Sequence, residues 1–214
     1  MKPGVLQAEC PRCASSVTET SAGWKCPDHG PVTPLWRPRA SDYETFAEHV
    51  RRAGSMPTFA PWPFGPGWAI TDFGCVAGPG TETRAAFLTC SGPSDLDGVV
   101  EVTVLSEEPG VGVGARCTGI ARTDPGAEVG DGPPDVKVRI DGHPVPLWSV
   151  LTSDADVDFD RSVFAGEAYG RWLWLVLRPA SAALLLRDEW ILLDVAGLGP
   201  ELMDLPFAQS PPAW

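Results

Sequence analysis

From residue 68 onward, apolar and polar positions alternate in short runs divided by turn residues. The pattern predicts strands over 68–76, 84–90, 99–106, 111–118, 136–140, 145–151, 168–177, 183–187 and 190–195. Turn chemistry separates them: Gly78-Pro79-Gly80, Asp97-Gly98, Pro109-Gly110, the Asp131 to Pro134 cluster and Asp141-Gly142. Val99, Glu101 and Thr103 alternate with Val100, Val102 and Val104, which is the period of a strand with one face buried. The run 171–177 is apolar on both faces and suits a central strand. Ahead of this region, Tyr43, Phe46, Ala47 and Val50 recur at helical spacing. Ser41 or Asp42 can cap that helix, Glu44 suits its first turn, Arg51 and Arg52 its last, and Gly54 ends it. His49 falls beside the apolar stripe and reads as solvent-facing or at the core edge. No helix of ordinary length separates the later strands, so a doubly wound parallel sheet is not expected.

The first thirty residues follow a different rule. Cys10-Pro-Arg-Cys13 and Cys26-Pro-Asp-His29 are two matched turns, each offering two ligands three positions apart. Proline in second place pre-sets each turn, and Gly30 can take a positive φ where the chain leaves the second. Three thiolates and one imidazole complete a tetrahedron around Zn2+ and leave no open position, which marks a structural rather than catalytic metal. Residues 15–19 and 24–25 suit a hairpin between the two turns, so the segment resembles a zinc ribbon. The expected organisation is a zinc-ribbon module with linker over 1–40, a helix and a Pro/aromatic-rich connector over 41–67, and a β-rich domain over 68–214. The fold class is α+β, mostly β, with the domain an antiparallel sandwich or partly open barrel. Trp36 is placed to dock the linker. Residues 56–68, MPTFAPWPFGPGW, form an extended aromatic segment that either packs flat across a sheet or lines a groove.

Charge narrows the partners. The chain of 214 residues carries a net charge of −12, but residues 1–40 hold five basic and three acidic side chains. An acidic body repels phosphate backbones, so nucleic acid is disfavoured outside the ribbon, where Arg12, Lys25, Arg37 and Arg39 are the candidates. No apolar run precedes the first cysteines, and the most apolar stretch, 172–177, is too short to span a bilayer. A cytoplasmic protein is expected, and there paired cysteines read as metal ligands before disulfides.

Other motifs carry less. Gly110-Val-Gly-Val-Gly-Ala115 matches the letters of a dinucleotide fingerprint, but the strand-like residues after it point to a glycine-rich turn or bulge. Asp154, Asp156, Asp158 and Asp160 mimic the first ligands of a calcium loop, with Phe159 where its glycine belongs and Ala165 where its last glutamate belongs. Cys75, Cys90 and Cys117 sit among small and apolar residues and read as buried and inert. Glu167, between two glycines, reads as an aimed carboxylate at a bend, and His143 lies in the turn Asp141-Gly-His-Pro.

The zinc knuckles together with PWPFGPGW, TCSGPSDLDG, EEPGVGVGA and FAGEAYGRWLWLVLRP resemble a family of uncharacterised bacterial zinc-ribbon-containing proteins along nearly the whole chain. Some of its members carry the label phosphotransacetylase, which no phosphate cradle or doubly wound pattern here supports. The leading expectation is a zinc-binding, non-enzymatic module for a protein partner or small ligand. One alternative is an enzyme whose site converges around Glu167, His143 and the Asp154–Asp160 loop, with acyl or phosphoryl transfer implied by the label alone. The other is a nucleic-acid reader acting through the ribbon.

Overall fold

The structure is a computed structural model that describes residues 6–95, 97–152, 160–187, 190–209 and 214. The chain enters with β1 (Gln7–Glu9) and makes a small antiparallel meander from β2 (Thr18–Thr20), β3 (Gly23–Cys26) and β4 (Gly30–Val32). It rejoins β1 through β5 (Leu35–Arg37), antiparallel to it, with Glu9 opposite Leu35. Then come helix α1 (Tyr43–Ala53), β6 (Phe59–Pro61), β7 (Ala69–Val76), β8 (Ala85–Ser94), β9 (Gly98–Glu107) and the short helix α2 (Val113–Thr118). The remaining strands are β10 (Val136–Ile140), β11 (His143–Ser149), β12 (Ser162–Ala168), β13 (Arg171–Arg178) and β14 (Trp190–Asp194).

Among the described residues, eleven strands join one open sheet in the order β1-β5-β7-β8-β9-β13-β12-β11-β10-β14-β6. Every pairing is antiparallel except β10 with β14. The sheet curls far enough for β6, at one edge, to pack back on β8 and β9. It does not close into a barrel. Strand β13 is central, as its two-faced apolar run requires, with Trp174 and Leu175 both fully buried on opposite faces. Asp141 and Gly142 both take positive φ, 50° and 78°, and Tyr169 with Gly170 repeats this at 55° and 74°. These tight turns match the right-handed twist of the strands they join.

Two cores result. On one face Phe73, Leu88, Val102, Val104, Leu173 and Leu175 pack under α1 and the 3-10 segment Ala180–Arg187. On the other, Phe87, Leu105, Ala165, Trp174 and Val176 pack under Val113 and Cys117 of α2. Helix α1 keeps its expected limits. Asp42 accepts from the Thr45 amide at 2.8 Å, the Thr45 hydroxyl takes the Asp42 amide, and Gly54 closes the helix. Trp36 docks the linker by donating to the Ala77 carbonyl at 2.8 Å, and its ring meets Trp24 edge-on.

Several expectations need correction. Residues 113–118 form α2, not a strand, because Gly112 in the left-handed region starts a turn that Glu107 then caps. Ala180–Arg187 is a 3-10 segment where a strand was expected over 183–187. The bend expected around Glu167 lies further on, at Tyr169-Gly170. Glu167 itself sits in β12, opposite Trp172. His49 is neither exposed nor at the core edge: it is fully buried, stacked on Phe46.

Candidate metal centre and surrounding surfaces

The two cysteine turns converge. The ligand atoms of Cys10, Cys13, Cys26 and His29 all lie within 4.8 Å of one another, so the group could hold a metal ion. Nδ1 of His29 is 3.6 Å from the sulfurs of both Cys10 and Cys26, and Cys13 Sγ is 3.7 Å from Cys26 Sγ. That last separation is far beyond a disulfide, and all six cysteines are free. Cys10 and Cys26 are buried, Cys13 is half-buried and His29 is exposed, so the cluster has an inner and an outer side.

The local backbone explains the convergence. In the first turn, the Arg12 amide reaches back to Cys10 Sγ at 3.4 Å, and the Cys10 amide is held by the Ser15 carbonyl. The second turn exits through Gly30 at φ 69° into β4, as its position after the last ligand predicts. Asp28 anchors the two turns to each other by accepting from the Ser15 hydroxyl at 2.8 Å. Burial pushes the Cys10 thiol up to about 11, against the pull of the Arg12 amide, and the neighbouring sulfurs push it the same way. Cys26 is buried too, yet the amides of His29 and Asp28 outweigh that and hold its thiol below the usual range. Three sulfurs this close cannot all be thiolates without a cation among them. A metal ion held by Cys10, Cys13, Cys26 and His29 would supply that charge and displace the protons.

The cluster is wired to the body. Arg12 donates to the carbonyls of Gly110 and Val111 at 3.0 and 3.4 Å. From α2, buried Arg116 donates to the Cys10 carbonyl at 2.7 Å and to Glu9 at 2.6 Å. The glycine-rich run therefore serves as the seat of the metal segment. Its helix mouth offers no phosphate site: the Val113 and Gly114 amides are taken by Glu107 at 2.9 and 3.2 Å, and Trp174 Nε1 adds a third donor at 2.8 Å. Gly114 is required there because an added Cβ would collide with the Trp174 ring. Burial pushes the Glu107 carboxyl up to about 7 against these three donors, with Asp124 adding repulsion.

Glu107 was not singled out by sequence, although it ends the alternating row Glu101, Thr103, Leu105, Glu107 whose other members face inward. Two further acids lie on this face of the sheet, buried Asp72 and half-buried Glu101. Asp72 pairs with Arg37, and Glu101 pairs with Arg178; burial raises both carboxyls despite the arginines. Arg37 also donates to the Trp214 carbonyl at 2.9 Å and lies against its ring.

The remaining sequence candidates stay apart from the metal cluster. Glu167 is exposed on β12 and His143 is exposed at the start of β11, and neither side chain has a partner among the described residues. The calcium-like loop falls outside the described residues except for Asp160, which pairs with Arg161. Cys75, Cys90 and Cys117 are buried, and burial raises each thiol, to about 12 at Cys75 and Cys117.

At the opposite edge of the sheet the 56–68 segment lines a groove. Trp62, Phe64, Trp68 and Trp190 wall a cavity of about 310 Å³ that includes Ile191. A neighbouring cavity of about 600 Å³ extends it to Glu201, Asp204 and Leu205.

The fold and the cluster together define a β-rich chain with an N-terminal group of three cysteines and a histidine able to hold a metal ion. The chain belongs to the family of unknown function DUF6758, whose model matches residues 5–213. That match brings neither a zinc-ribbon description nor a phosphotransacetylase label. No curated protein and no solved structure matches the chain. No helix among the described residues is long and apolar enough to cross a membrane.

Proposed function

We propose that the chain is a zinc-stabilised binding protein, with a structural Zn2+ at Cys10, Cys13, Cys26 and His29 and a β-rich body that presents the surface for a protein partner or small ligand. The observation that carries the metal reading is the set of edges. A tetrahedral zinc with bonds of about 2.3 Å to sulfur and about 2.0 Å to nitrogen has S···S edges of roughly 3.8 Å and S···N edges of roughly 3.5 Å. Three of the six edges here match, Cys13–Cys26 at 3.7 Å and His29 to Cys10 and to Cys26 at 3.6 Å, and the other three lie within 4.8 Å. Four protein ligands fill the tetrahedron, so the ion has no place for substrate or water. Its work is to fold residues too few to bury a core of their own. Arg12 and Arg116 then hold the folded turns against α2. Six free cysteines suit a reducing, cytoplasmic setting. This reading assigns no reaction to Glu167 or His143.

Native mass spectrometry of the reduced, purified chain tests the metal. One zinc per chain, removed by a chelator, is expected. A chain that stays folded over its first forty residues without metal overturns the reading.

A further inference from the structure

The aromatic groove at the β6–β14 edge has a chemistry of its own. Its four rings are held in two pairs. Trp62 and Phe64 lie 5.8 Å apart, inclined at 51°, and Trp68 and Trp190 lie 6.5 Å apart, nearly perpendicular. Trp68 is fixed from below by Gly92 of β8, where a Cβ would come within 2.5 Å of its Cδ1, and it rests against Gly65, where a Cβ would lie 3.2 Å away. The Trp62 amide bonds the Ile191 carbonyl at 2.9 Å, which ties the first pair to β14. The rings are half-buried rather than packed away, and Ile191 beside them is 50% exposed.

Three features select the occupant. The indole N–H groups of Trp62, Trp68 and Trp190, whose rings line the groove, have no partner among the described residues. A polyproline helix suits such donors, because its carbonyls make no internal hydrogen bonds and its rings pack on aromatic faces. Glu201 and Asp204, both exposed, line the far wall, on a chain whose net charge is −12. An acidic wall beside aromatic rings favours arginine or lysine next to the prolines.

We propose that this groove binds a proline-rich peptide segment flanked by basic residues, with the prolines between the two aromatic pairs and the basic side chain at Glu201 and Asp204. The proposal names the partner class for the binding surface in the reading above and rests on it. The rigid seating of Trp68 on Gly92 means that little side-chain freedom is lost on binding, which favours modest affinity without large contact area.

The test is a fluorescence anisotropy titration of the zinc-loaded full chain with a labelled peptide of about ten residues bearing two Pro-x-x-Pro repeats and flanking arginines. Saturable binding with Kd of roughly 10–100 µM is expected, quenching the intrinsic tryptophan signal. Replacing the peptide prolines with alanine abolishes binding. Glu201→Lys with Asp204→Lys, both on the surface, weakens it roughly tenfold and less so at high salt. Trp68→Ala and Gly92→Ala, which displaces the Trp68 ring, each weaken it at least tenfold. Circular dichroism and zinc content on the same samples separate lost folding from lost binding. No binding by the folded, zinc-loaded chain overturns the groove proposal and leaves the metal reading standing. Binding indifferent to Trp68→Ala and to the charge reversals also overturns it. So does Trp68-dependent binding of a soluble oligosaccharide with none of the peptide.

Discussion

Glu107 offers a stability measurement whose sign and size follow from its surroundings. Its carboxyl is fully buried with no cationic partner among the described residues, and burial lifts it from 4.5 to about 7. A carboxyl raised in the folded state contributes stability that is complete below the unfolded value and is lost as pH climbs through the folded one. Between those limits the native chain holds a proton that the unfolded chain has released. Stability therefore falls by about 1.4 kcal/mol per pH unit, or roughly 3 kcal/mol across the window. Glu107→Gln removes the titration. Its amide oxygen can still accept from Gly114 and Trp174, but its NH2 then faces the Val113 amide, so the variant starts about 1–2 kcal/mol less stable at the acid end. Guanidinium unfolding, followed by tryptophan fluorescence from about pH 5 to about pH 8.5, gives the two profiles. Asp72, Glu101 and the metal ligands titrate in both proteins and cancel in the difference. The expected result is a gap that closes and then reverses as pH rises. Profiles that stay parallel to within about 0.5 kcal/mol would refute the argument and mean that the three N–H donors keep Glu107 ionised throughout.

Other expectations are simpler to check. Cys26→Ser should lose the metal and, in hydrogen exchange, the protection of residues 10–32, while β7, β8, β9 and β13 keep theirs; unchanged protection in the turns would sink the zinc argument. Gly114→Ala forces a methyl into the Trp174 ring and within 2.6 Å of Glu107 Oε1, so a loss of roughly 3–5 kcal/mol in denaturant unfolding is expected. A thiol reagent such as dithiobisnitrobenzoate should leave Cys75, Cys90 and Cys117 untouched in the folded chain; rapid labelling of any of them would show the cores to be open.

The two matched turns were legible because metal ligation is local in sequence: a spacing of three fixes where two side chains can point. Most of the strands and α1 were legible for a similar reason, since period and caps are short-range signals. What misled was the segment 111–118, whose Val-Gly-Val-Gly alternation has the period of a strand. The first two amides of α2, those of Val113 and Gly114, are satisfied by Glu107 on the strand before it, a partner that no local pattern reveals. The 183–187 run failed likewise, because the 3-10 turn buries Ala182 and Leu186 against β10, β12 and β13 and leaves Leu184 exposed, a pattern with no strand ladder behind it. His49 disappeared into the core because its ring joins a cluster with Phe46 and Phe73 and Thr58 meets its Nε2, contacts no helical stripe reveals. Even so, its Nδ1 is left without a partner.

Strands β1 and β5 pair with each other, and the metal segment is the excursion between them. β5 also pairs with the end of β7, Leu35 opposite Val76 and Trp36 opposite Cys75, and β7 is buried along almost its whole length. Under the proposed reading, a metal clamp within that excursion would help hold β5 on that end of β7 and keep the strand's edge from meeting its like on another chain. Scarcity of zinc would then be felt first as self-association at the sheet edge, with turbidity appearing well before any fall in the helix and strand content of the body.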